Sequence, residues 1–136
     1  MHHTLYIKNE LCELSRVFEF IERNLPSCLS DKRKLSQVKL AIEELVANVI
    51  MYAYGERKDQ DIQIEMECRG TQLQVTVIDS GIPFNPLESK DPDLSLSVEE
   101  RPIGGLGIFL VKQLMTELRY ERASGKNVLT MIKDLG

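Results

Sequence analysis

The chain has 136 residues, 43% hydrophobic and 28% charged, which sets the expectation of one compact domain over residues 1–136 with enough apolar material for a core. Its 17 Lys and Arg against 21 Asp and Glu give a net charge of −4 with no basic block, so charge points neither to nucleic acid nor to an anionic membrane. Cys12, Cys28 and Cys68 fit neither a paired disulfide framework nor a close-spaced zinc motif and read as free thiols. No apolar run approaches the ~20 residues of a membrane-spanning helix, and no signal-peptide pattern opens the chain, so a cytoplasmic protein is expected.

In chain order, Thr4 to Lys8 alternate as a short strand. Glu10 to Leu25, with Leu11, Leu14, Phe18, Ile21 and Leu25 spaced by three and four, predict an amphipathic helix that Pro26 breaks. Asp31 can cap a second helix whose stripe is Leu35, Val38, Ile42, Leu45, Val49 and Ala53, with Gly55 as its stop. Ile62, Ile64 and Met66, then Leu73, Val75 and Val77, alternate with polar residues, so a hairpin turning at Arg69, Gly70 and Thr71 follows. Ser80 to Pro102 holds four of the five prolines and reads as a long functional loop. A third helix is expected over Leu106 to Leu118. A last hairpin is expected over Leu118 to Arg122 and Val128 to Lys133, turning at Ser124, Gly125, Lys126 and Asn127. Hairpins and single-striped helices together predict an α+β fold: a two-layer α/β sandwich, with a mixed, mostly antiparallel sheet and the helices on one face.

Three stretches can carry chemistry. In E-E-L-V-A-N, Glu44 and Asn48 stand four apart, one above the other beside the apolar stripe, although acids on a helix are often only a solvated face. In V-T-V-I-D-S-G-I-P-F, an apolar strand ends in Asp79 and runs into Gly81. An acid there often caps a turn, but it can also accept a hydrogen bond from an adenine amino group, with Gly81 letting the backbone approach the base. In I-G-G-L-G-I, Gly104, Gly105 and Gly107 precede a helix, where unpaired N–H groups and the helix dipole favour phosphate. The glycine spacing is neither that of a dinucleotide fold nor that of a P-loop.

Taken in order, E-L-V-A-N, D-S-G-I-P-F and G-G-L-G-I resemble the N, G1 and G2 boxes of the superfamily of gyrase B, MutL and the histidine kinases, with its Bergerat-type ATP-binding fold. A-I-E-E-L-V-A-N-V-I-M-Y-A-Y and D-x-G-x-P-F-x-P are similar to the short variant found in anti-sigma factor serine/threonine kinases, and the resemblance covers nearly the whole chain. It implies ATP and Mg2+ as ligands, Asn48 on the Mg2+, and Glu44 as general base, with Glu43 left open by spacing. It further implies Asp79 reading adenine with room from Gly81, and Phe84 beside the nucleotide. Gly104, Gly105, Leu106 and Gly107 would wrap the phosphates, residues 85–103 would form a lid, and Thr130 would lie near the adenine. The implied partners are a sigma factor, a STAS-type anti-anti-sigma antagonist and a second copy of the chain as a homodimer. Besides a kinase, the residues leave open a nucleotide-dependent binding module without phosphoryl transfer. They also leave the ATP-binding half of a histidine kinase, disfavoured by the ~30 residues ahead of the first box, and a ligand-free sandwich.

Overall fold

A computed structural model describes residues 2–27, 29–88 and 105–135 of the chain. Strand β1 (His2–Lys8) is followed by helix α1 (Leu14–Asn24), which is flanked by single 3-10 turns at Leu11–Glu13 and Leu25–Ser27, and then by helix α2 (Lys32–Tyr52). Strands β2 (Asp61–Arg69) and β3 (Gln72–Asp79) come next, then a 3-10 turn at Pro86–Glu88, helix α3 (Gly105–Leu114), and strands β4 (Glu117–Ala123) and β5 (Lys126–Asp134). The predicted order of elements is the observed one.

α2 starts where Asp31 accepts hydrogen bonds from the N–H groups of Arg33 and Lys34, at 2.9 and 3.2 Å, satisfying two of the donors a helix N-terminus leaves unpaired. Three residues beyond its end at Tyr52, Gly55 takes the left-handed conformation at φ +60°, which an L side chain adopts only with strain. The first helix is shorter than its periodicity predicts, because its first and last turns tighten into 3-10 geometry. The third helix also ends early. Thr116 N–H donates to Ile132 O at 2.8 Å and Lys133 Nζ bonds Leu114 O, so pairing with β5 draws Glu117 and Leu118 into a strand.

The sheet order is β1-β2-β3-β5-β4, and every pair is antiparallel, so the mixed sheet expected from sequence is not found among the described strands. One face carries Ile7, Ile62, Ile64, Met66, Leu73, Val75, Val77, Leu129 and Met131. These form one core with Val17 and Ile21 of α1, Val38, Ile42, Leu45 and Val49 of α2, and Ile108 and Val111 of α3. The helices therefore lie on one face of the sheet, each held there by an apolar stripe whose side chains contribute ~1.5–3 kcal/mol apiece when fully buried. β4 and β5 turn through Ser124 and Gly125 alone, both at positive φ, so Lys126 and Asn127 belong to the strand and not to the turn. Cys12 is a free, exposed thiol, whereas Cys68 is disulfide-bonded, which corrects the expectation of three free thiols. Among the described residues, no helix is long and apolar enough to cross a membrane.

Candidate functional site

Strand alternation puts Asp79 on the same face as Leu73, Val75 and Val77, at the strand's end, where it is 3% exposed. A buried carboxylate needs donors. Asp79 Oδ1 accepts from the Gly81 N–H and from Asn127 Nδ2, each at 2.9 Å, while Oδ2 accepts nothing from the described residues. Gly81 passes close to the end of α2: a Cβ on it would stand 2.1 Å from the Ala53 carbonyl oxygen, which also accepts the Ile82 N–H at 2.9 Å. Beside them Tyr54, pushed above its ordinary pKa mainly by burial, donates to Asp61 O at 2.6 Å and accepts the Ser80 N–H at 2.7 Å. The strand exit is thus tied both to α2 and to the start of β2.

Midway along α2, Asn48 is 6% exposed and its Nδ2 donates back to Glu44 O at 2.8 Å, which leaves its Oδ1 with no donor among the described residues. Gly107, in the first turn of α3, faces this pair directly. A Cβ there would lie 2.6 Å from Glu44 Oε2 and 3.6 Å from Asn48 Nδ2, so only a glycine lets the carboxylate and the amide come this close to the N-terminal turn of a helix. Glu43 is not among the nearest atoms to that position; it feels the charges of Lys39, itself paired with Glu22, and of Glu44, and its carboxyl is raised above its ordinary value, mainly by burial. Of the two acids, Glu44 is the one beside Gly107. One turn beyond Asn48, Tyr52 stacks at a tilt on Phe84, their ring centroids 6.1 Å apart. Phe84 N–H in turn donates to Asn127 Oδ1 at 3.1 Å. The two ends of the site are consequently linked by one row of side chains along α2, spanning roughly 13 Å from Glu44 to Ala53 at the helical rise.

Of the residues singled out from sequence, the fold brings Glu44, Asn48 and Gly107 together, and gathers Asp79, Gly81 and Phe84 at the other end of the same row. Gly105 and Leu106 open α3, Gly104 lies outside the described residues, and so does most of the segment expected to form a lid. Thr130 does not join the group: it pairs with Thr76 and Arg119, and strand alternation places it on the sheet face opposite Asp79. The β5 residue that stands beside Asp79 is Asn127, 2% exposed, its register partner across the sheet. Sequence reading missed it because it lies next to a turn and β3–β5 adjacency has no local signature. A concavity of about 510 Å³ lined by Asn9, Ile50, Gly55 and Arg57 includes none of these side chains.

Residues 7–133 match the family described as the histidine kinase-like ATPase domain. The chain belongs to that family. Such a domain implies ATP as ligand. The chain is 32% identical over 100 residues to the serine-protein kinase RsbW of Bacillus subtilis (strain 168), the match covering 70% of this chain and 62% of that protein. It is 27% identical over 137 aligned positions to the anti-sigma F factor of Pasteuria penetrans, covering 99% of this chain and 89% of that one. Its fold is similar to the crystal structure of the RsbU and RsbW domains of a Mycobacterium tuberculosis protein, with a TM-score of 0.67 at 18% identity, over 98% of this chain and 32% of that chain. This chain therefore spans under two thirds of the length of the Bacillus subtilis relative.

Proposed function

We propose that the chain binds ATP with Mg2+ along this row and acts in the cytoplasm as an anti-sigma factor with serine/threonine kinase activity toward a STAS-type anti-anti-sigma antagonist, as a homodimer. The family match and the names of the relatives support the class. The observation that carries the assignment to this site is the meeting of Glu44, Asn48 and Gly107, an acid and an amide facing a side-chain-free helix start. The donor set fits the cation. Asn48 Oδ1 is a hard oxygen ligand with no protein donor, and among the described residues no three His, Cys, Asp or Glu side chains gather into an all-protein metal site, so phosphate and water oxygens would complete its shell.

When bound, Mg-ATP supplies the phosphoryl group and neutralises the charge that develops on its oxygens. The protein's part is positioning. Asp79 Oδ2 accepts from the adenine amino group, the Gly81 backbone approaches the base without a Cβ, and the first turn of α3 at Gly105, Leu106 and Gly107 presents N–H groups to phosphate, with Gly104 just ahead of it. Glu44 takes the proton from the antagonist's serine hydroxyl as its oxygen bonds to the γ-phosphorus and the bond to ADP breaks. Incubating the chain with labelled ATP and its antagonist tests this reading. Glu44→Ala is expected to lower transfer by about 100-fold or more, the usual contribution of a positioned base, while ADP affinity stays within a few fold. Binding of nucleotide without any transfer by the native chain would make it a binding module, and transfer that survives Glu44→Ala would remove that residue as the base.

A further inference from the structure

Asn127 is held by more of its surroundings than any role in strand pairing requires. Its Nδ2 donates to Asp79 Oδ1 at 2.9 Å and to Ile82 O at 2.7 Å; its Oδ1 accepts from Phe84 N–H at 3.1 Å, from Arg122 at 3.2 Å and from the Tyr120 hydroxyl. Arg122 also donates to Gly81 O at 2.8 Å. The orientation of the amide is forced by these partners. A carboxylate and a carbonyl only accept, while a peptide N–H and a guanidinium only donate, so the reversed amide would set donors against donors and acceptors against acceptors. A side chain that is 2% exposed and bonded at both its polar atoms has no capacity left for a ligand, and whatever it does for binding it does through Asp79.

We propose that Asn127 is the positioning residue that sets the base preference of the site, by holding Asp79 Oδ1 so that a fixed Oδ2 is what a base meets. This rests on the assignment of Asp79 as the group that reads the base. The carboxylate has two donors on Oδ1, the Gly81 N–H and the Asn127 amide, and together they fix its plane. An immobile carboxylate oxygen accepts from the amino group of adenine and repels the carbonyl oxygen that hypoxanthine carries at the same place. Without the amide, a carboxylate held by a single donor turns about its Cβ–Cγ bond, and Oδ2 leaves the place from which it accepts the amino group and excludes that carbonyl. Discrimination between the two bases then falls, independently of how well the rest of the nucleotide is held.

The test is calorimetric titration of the whole chain and its variants with Mg-ADP and Mg-IDP. The native chain is expected to prefer ADP by about ten- to a hundred-fold, the range of a hydrogen bond to a charged group. In Asn127→Ala that ratio falls by about tenfold, mainly through weaker ADP binding. Asn127→Asp keeps the volume and the acceptor for Phe84, Tyr120 and Arg122 but lacks the donors, and it shows the same fall if the alanine variant does not fold. Parallel loss of both affinities with the ratio retained, in whichever variant folds, overturns the proposal and leaves Asn127 a structural residue. A native chain that binds neither nucleotide, or binds both equally, instead overturns the assignment of the site or of Asp79.

Discussion

At the Asp79 end of the site, one carboxylate, one amide and the backbone of Gly81, Ile82 and Phe84 form a single hydrogen-bonded knot, closed on its outer side by Tyr120 and Arg122. At the Glu44 end, the bond from Asn48 to Glu44 O is the one hydrogen bond these two side chains make among the described residues, and the Glu44 carboxylate comes to where a side chain on Gly107 would stand. The first end is built before any ligand arrives, because buried polar groups must be satisfied within the protein. The second leaves Asn48 Oδ1 and the Glu44 carboxylate without protein donors among the described residues. In the proposed function, base recognition falls to the hydrogen-bonded end and phosphoryl transfer to the end with free polar atoms.

Two glycine substitutions contrast these ends most sharply. In Gly81→Ala the new methyl meets the Ala53 backbone oxygen, which cannot move without displacing the end of α2, so a loss of roughly 3 kcal/mol in urea denaturation is expected, with ADP binding impaired. In Gly107→Ala the methyl meets only the tip of Glu44. Stability should then stay within about 1 kcal/mol of the native chain, since alanine favours a helix, while transfer drops on the order of 100-fold through a displaced base. Equal stability losses at the two glycines would erase the difference between the ends. A smaller effect is expected for Tyr54→Phe, which strips partners from the Ser80 N–H and the Asp61 carbonyl. About 2 kcal/mol should be lost in denaturation, with turnover of the folded fraction retained.

The smallest effect concerns Glu43. Its carboxyl is raised in the folded chain by burial and by Glu44 and Glu22, against the opposing pull of Lys39. The native state therefore holds that proton more tightly than the unfolded chain does, and the stability so gained is complete below the ordinary glutamate value of 4.5 and fades as pH rises through the raised value. Glu43→Gln, always neutral, should match the native chain in thermal stability at pH 4 and overtake it slightly by pH 7, with transfer unchanged. Loss of transfer in this variant would move the base from Glu44 to its neighbour.

The sequence by itself determined the elements and the chemistry-bearing residue types. Period-two and period-3.6 spacing, the Asp31 cap and the Gly70 and Gly125 turns are local, so strand and helix identities and the Glu44 and Asn48 spacing were legible without a fold. Which acid of Glu43 and Glu44 faces Gly107, that the sheet is antiparallel throughout, and that Asn127 stands beside Asp79 while Thr130 turns to the far face were decided only by tertiary structure. Each depends on which strand lies next to which and on which face of α2 meets α3. Those choices are made by burial of the shared core, a sum over contacts between residues distant in the chain, and no short window of sequence contains it.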